Sequence, residues 1–287
     1  MSKEPTRELT KGDARRLGWN ALATALTAAI VVQAFHELVH GLLAEACGAD
    51  FVRWNLFAAF WEGSVSPGAR ALVAGGAPMA NILTGLAALW LGATSAVKRR
   101  GGLHLFLLHF AALSLLTGFG YFLKDAAFYA PGRLAGDIAV VLDYLGGSWL
   151  WRGLFILLGA GGWIWTFFQL GGRVQRLTPV VEDKTQRLRV AGPLLLTPYL
   201  AVGVLFTLLG LGHPLGFAGF VLTALQYWLG YSGLFWAFLQ AVYWRKPSAE
   251  EHVAVELPLR VRRGWLIAAV VALAAAVVLL LPGLNLA

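Results

Sequence analysis

The sequence has little charge: 13% of its 287 residues are Asp, Glu, Lys or Arg, where an ordinary soluble domain carries about 25%. Too little polar surface exists to cover a water-soluble globule. Acidic residues are scarcer than basic ones, 15 against 23. Cysteine occurs once, as Cys47, which excludes an internal disulfide framework. Basic residues are not interleaved with aromatics, so no nucleic acid partner is expected. A phosphate-binding loop and a serine nucleophile motif are also missing. A cleavable secretory signal is not expected, because the polar stretch 1–16 leads into an apolar run of about 27 residues, longer than a signal core.

What remains is apolar: 58% of the chain is hydrophobic, with mean hydropathy +0.67. A bilayer crossing needs roughly 20 residues per helix. Seven runs qualify: 18–44, 71–95, 103–125, 150–171, 190–211, 216–244 and 264–284. Lipid offers no partner to unpaired backbone groups, and no barrel-like alternation is visible, so these runs are helices. The expected fold class is all-α: a polytopic helical membrane protein with about six to seven transmembrane helices. After the first span, residues 45–70 include Phe51-Val52-Arg53-Trp54-Asn55-Leu56-Phe57, aromatic and β-branched enough for a short hairpin or re-entrant segment. Residues 137–149 read as a half-helix ending in glycines; were it to cross, every later span would flip.

This reading divides the chain into a polar leader at 1–17, a membrane core at 18–172, a polar linker at 173–189 and C-terminal membrane helices at 190–287. With the N-terminus inside, 18 of the 23 basic residues fall on the inner side and Arg53, Arg70, Lys124, Arg133 and Arg152 on the outer. That asymmetry follows the positive-inside rule. The expectation is an integral protein of the cell membrane with a cytoplasmic N-terminus and the lipid bilayer as its surroundings.

The chemistry concentrates in Phe35-His36-Glu37-Leu38-Val39-His40-Gly41, near the end of the first span. His36 and His40 are four apart, so on a helix both imidazoles project from one face toward one point. Two neutral imidazoles at that spacing suit Zn2+. Glu37 is offset by one residue, beside the metal rather than on it, where a carboxylate can act as general base and then general acid in hydrolysis. Three ionisable residues within five positions of a membrane helix mark a functional site by default. The competing readings are a polar cluster that packs helices, or a haem or proton site. A catalytic zinc site needs a third protein ligand. Asp125 closes the third span and Asp137 opens the half-helix, both on the side of the histidines; either can instead cap a helix or pair with a lysine. Asp143, six residues beyond Asp137, faces elsewhere. His104 and His109 read as interhelical hydrogen-bonding residues, His213 as a solvated turn residue, and Gly159-Ala-Gly-Gly162 as a close helix contact.

These residues resemble the site-2 protease family of intramembrane zinc metallopeptidases. His36-Glu37-Leu38-Val39-His40, with its tail Gly41-Leu-Leu-Ala-Glu-Ala-Cys-Gly48, looks like that family's first motif. Ala74-Gly75-Gly76-Ala77-Pro78-Met79-Ala80-Asn81 is similar to its Ala-Gly-Pro-x-x-Asn segment. Gly118 to Asp125, followed by Gly136-Asp137-Ile-Ala139, stands where the family places an asparagine-proline turn and its third ligand. The likeness covers about residues 30–145 and departs in places. Val39 replaces a glycine, and the asparagine-proline turn is absent, leaving Tyr121 or a backbone group in its place. The resemblance implies metal ligands His36, His40 and, ahead of Asp125, Asp137. It also implies Glu37 as the acid and base, with Asn81 positioning the scissile carbonyl. The implied activity is zinc-dependent hydrolysis of a membrane-protein or membrane-peptide substrate, with segment 45–65 presenting a strand edge to it. The rival readings are an inactive membrane scaffold of the same fold and an ion- or proton-coupled transporter.

Overall fold

The computed structural model describes residues 8–131, 136–179, 182–244 and 257–286. Arg133, placed outside by the sequence reading, and Lys3, Arg7, Arg245 and Lys246, placed inside, lie outside the described residues. The fold is an all-α bundle with one small sheet at one end. Its elements are α1 (Lys11–Ala46), β1 (Asp50–Asn55), β2 (Ala58–Glu62), α2 (Pro67–Gly92), the short α3 (Ser95–Lys98), α4 (Gly101–Ala127), α5 (Asp137–Tyr144) and α6 (Trp149–Arg176). Then follow α7 (Lys184–Ala191), α8 (Thr197–Leu209), α9 (Gly216–Leu225), α10 (Ser232–Leu239), α11 (Arg263–Ala275) and the two-residue β3 (Leu284–Asn285).

Six helices among the described residues are long and apolar enough to cross a membrane: Lys11–Ala46, Pro67–Gly92, Gly101–Ala127, Trp149–Arg176, Lys184–Gly212 and Arg263–Leu280. The chain is an integral membrane protein. The run 216–244 is not one continuous span. It turns through a π-type stretch at Gln226–Gly230, breaks at Tyr231 and resumes in α10. It still traverses the bundle. His213, just before α9, stacks on Phe57 beside the sheet at 5.2 Å. At the other end, Arg187 near the start of α7 donates from Nε to Val242 O at 2.9 Å.

The two ends of the bundle are defined by side chains that bind loop backbone. Asn20, fully buried in α1, donates to Pro258 O and Arg260 O and accepts from Arg262 N–H, which places the start of α11 beside the start of α1. At the opposite end Leu56 N–H donates to Leu280 O, and the Asn55 amide to Leu281 O. α11 therefore runs parallel to α1. α1 begins at Lys11 with a reciprocal cap: Thr10 accepts from Asp13 N–H, and Asp13 accepts from Thr10 N–H. The sequence-based leader thus ends inside a helix. The linker is shorter than 173–189, because α6 runs to Arg176 and α7 starts at Lys184. The two halves are not separate bodies: one buried cluster joins Leu17, Ala28 and Leu113 to Val202, Phe206 and Leu234.

Without a hydrophobic drive inside lipid, close packing holds membrane helices together, and small residues allow it. α2 crosses α4 where a side chain on Gly118 would meet Pro78 O and Ile82. α4 crosses α6 at Gly159, against the Leu123 backbone, and at Gly162, against Phe119. The Gly159–Gly162 stretch is a helix contact, as its sequence suggested. Large apolar side chains such as Leu83, Leu157, Phe217 and Val270 face outward, as expected of a lipid-facing surface.

Proline within membrane helices leaves carbonyls without their partner. Pro198 cannot donate to Leu194 O, four residues back. His109 of α4 supplies the missing donor from Nε2 at 3.0 Å, while its Nδ1 lies 2.9 Å from the Thr24 hydroxyl of α1. One histidine thus joins α4 and α1 to the π-type stretch Gly192–Leu196 that leads into α8. His104 lies 3.1 Å from Gly92 O. His213 is partly exposed in its turn, with its ring stacked on Phe57.

β1 and β2 form the expected hairpin, and β3 pairs with the other edge of β1, giving the order β2-β1-β3. The hairpin lies against α1. Trp54 donates to Ala34 O at 3.2 Å, and the Phe51 ring covers Gly41, where any side chain would collide. α5 has eight residues, about 12 Å at 1.5 Å per residue. That is too short to cross, so the later spans keep their directions. Gly146 and Gly147, both at positive φ, end it.

Candidate metal centre

His36 and His40 sit one turn apart on α1, rings edge to face with centroids 4.8 Å apart. Both are buried. Asp137, the first residue of α5, reaches them from across the bundle and is the most open of the three, with its side chain 21% exposed. Asp137 Oδ2 lies 3.0 Å from His36 Nε2 and 3.3 Å from His40 Nε2, and the two nitrogens are 3.2 Å apart. Among the described residues these are the three His, Cys, Asp or Glu side chains whose donor atoms gather as a metal site requires.

The ring tautomers follow from the outer partners. His40 Nδ1 lies 2.9 Å from Val73 O. A carbonyl only accepts, so Nδ1 carries the proton, and in a neutral ring Nε2 presents a lone pair. His36 Nδ1 lies 3.0 Å from the Asn81 amide nitrogen, and Asn81 Oδ1 is buried without a partner. Turning the amide over, an exchange of near-identical atoms, lets Oδ1 accept from His36 Nδ1–H and leaves His36 Nε2 bare. Two lone pairs and a carboxylate oxygen within 3.3 Å repel one another unless a cation or a shared proton lies between them.

The dimensions suit a cation. Tetrahedral zinc, with bonds of about 2.0–2.1 Å, holds its ligand atoms roughly 3.3 Å apart. Two imidazoles and one carboxylate leave a fourth position open, and each imidazole has an outer hydrogen-bond partner, as metal-bound histidines usually do.

Asp125 is not part of this set. Its buried Oδ2 accepts from Ile138 N–H at 3.0 Å, and its Oδ1 pairs with Lys124 at 3.3 Å. Gly136, at φ +116°, lies so close to the Asp125 carboxyl that no side chain fits between them. Asp125 therefore anchors the first turn of α5 and holds Asp137 in place. Arg152 steadies the end of α4 by donating to Ala126 O at 2.8 Å and Ala127 O at 2.7 Å. Asp143, exposed, accepts from Tyr129 at 3.2 Å, away from the triad.

Glu37 is buried beside the ligands and accepts from Gln33 Nε2 at 3.0 Å. The Ala59 backbone of β2 lies near its carboxylate. Asn81 is fully buried against His36, so its place in the structure is as an orienting partner of that ring. Tyr121 stacks on the other side of His36, centroids 4.8 Å apart and planes 10° apart. Sequence reasoning passed over Gln33, Gln226 and Tyr227. A polar residue four positions before Glu37 within a span was a readable signal for Gln33; nothing local pointed to the other two.

Comparison with protein-family models, curated proteins and solved structures yields no match.

Proposed function

We propose that this protein is a zinc-dependent intramembrane endopeptidase, hydrolysing a peptide bond in or near a membrane-spanning substrate segment. The observation that supports this most is the convergence of His36 Nε2, His40 Nε2 and Asp137 Oδ2 at 3.0–3.3 Å, with the Glu37 carboxylate alongside, inside an apolar bundle. His36, His40 and Asp137 hold the metal, which when bound supplies Lewis acidity and an activated water. Glu37 takes up a proton from the attacking water and passes it to the leaving amine. Asn81 and Val73 O fix the two imidazoles. The resemblance of His36–Gly48 to the site-2 protease motif points the same way. The sheet suggests how substrate is held: β2 has an edge unpaired among the described residues, and it is the strand whose Ala59 meets Glu37. A substrate segment that unwinds and adds to that edge lies beside the base. In this reading the N-terminus is cytoplasmic, the site opens toward the outer side, and the cell membrane is its location.

Elemental analysis of the detergent-purified protein tests the metal. The expected result is about one zinc per chain, none in His36→Ala/His40→Ala, and zinc retained in Glu37→Gln. Cleavage of tagged single-span peptides in proteoliposomes tests the reaction, with Glu37→Gln inactive. A well-folded wild type that stays empty after zinc addition refutes the reading, as does undiminished cleavage by Glu37→Gln.

A further inference from the structure

The C-terminal half supplies two consecutive residues that reach the centre from outside. Gln226 and Tyr227 lie in the π-type stretch of the broken helix between α9 and α10. Such stretches recur at functional sites. Consecutive side chains on a helix diverge by roughly a quarter turn, so one can face α4 while the other faces α1. Gln226 approaches Tyr121, whose ring covers His36. Tyr227 donates from its hydroxyl to Gln33 Oε1 at 2.6 Å, and Gln33 donates from Nε2 to Glu37 Oε1 at 3.0 Å.

The direction of this chain is fixed by its end. As the base of the proposed reaction Glu37 is an ionised carboxylate, which only accepts, so Gln33 turns its NH2 to Glu37 and its carbonyl to Tyr227, which then donates. An amide whose carbonyl already accepts a hydrogen bond is a stronger donor at nitrogen. The Tyr227 ring cannot drift. It is buried, stacked on Phe206 with centroids 4.0 Å apart, and edge-on to Tyr231 at 5.0 Å. Tyr231 bonds Thr117 instead, at 2.9 Å, and has no polar link to the centre among these contacts.

We infer that Tyr227, acting through Gln33, is a positioning residue for Glu37, so that the broken helix of the C-terminal half is part of the reaction centre. This rests on the metal reading above. Without the relay Glu37 keeps its place on α1 but loses the hydrogen-bond geometry that aims one carboxylate oxygen.

The test uses the full chain in detergent, loaded with Co2+, whose visible absorption reports binding at a zinc-type site. The probe is acetohydroxamate, which ligates such a metal and needs a proton acceptor beside it. In Tyr227→Phe the cobalt content is expected to stay as in the wild type, while acetohydroxamate binds about fivefold to tenfold more weakly. In a Glu37→Gln background, adding Tyr227→Phe is expected to cost nothing further, and Tyr231→Phe alone is expected to bind as the wild type. Unchanged affinity in Tyr227→Phe overturns the inference. So does an equal loss with Glu37→Gln present, or a loss of cobalt, since either places the effect on the fold rather than on Glu37. A wild type with no cobalt band refutes the metal reading itself, and this inference with it.

Discussion

Replacing Asp137 and Asp125 one at a time separates a ligand from its anchor. Asp137→Ala removes one of three donors and disturbs little else, because its side chain pairs with the two imidazoles themselves. Asp125→Ala leaves the Ile138 N–H without an acceptor in a buried setting, a loss of about 1–3 kcal/mol. Lys124, with a side chain 32% exposed and lying over the Tyr121 ring, can still find water. The two variants therefore differ in kind. A protein with zinc at a thousand times its Kd gains about 4 kcal/mol of stability from it. Asp137→Ala is expected to lose that gain while its metal-free stability stays within about 1 kcal/mol of wild type. Asp125→Ala is expected to start about 1–3 kcal/mol lower without metal. It should still respond to zinc, with affinity reduced about 10- to 100-fold as for other outer-sphere losses. Thermal unfolding followed by tryptophan fluorescence, in a zinc series, reads both quantities. The reasoning fails if Asp125→Ala abolishes the zinc response while Asp137→Ala keeps it.

His109→Leu removes the side-chain donor to Leu194 O, whose helical partner would be Pro198, and is expected to lower Tm through a loss of about 1–3 kcal/mol, with zinc content unchanged. Adding Pro198→Ala restores a backbone donor and should recover part of that loss. Gly41→Val places a side chain in the space of the Phe51 ring and is expected to cost about 1–3 kcal/mol through overpacking. Hydrogen exchange at residues 50–62 should rise, since the hairpin lifts from α1; unchanged protection there would show that the hairpin does not depend on this contact.

The sequence alone determined what is local. Apolar runs long enough for a bilayer give helices because lipid allows little else, and residues 50–62 give a hairpin through their strand-forming side chains. The spacing of His36, Glu37 and His40 fixes their relative placement because all three ride one helix. Tertiary structure decided what depends on distant segments meeting. Asp137 and Asp125 are equivalent on paper; the turn at Gly136 and the bond from Asp125 to Ile138 set which one faces histidines 101 and 97 positions earlier. The run 216–244 reads as one uniform apolar helix, yet it breaks at Tyr231 and carries Tyr227 to Gln33 across 194 residues. Periodicity records which face of a helix is apolar. It does not record which other helix that face meets, because that follows from the packing of the whole bundle.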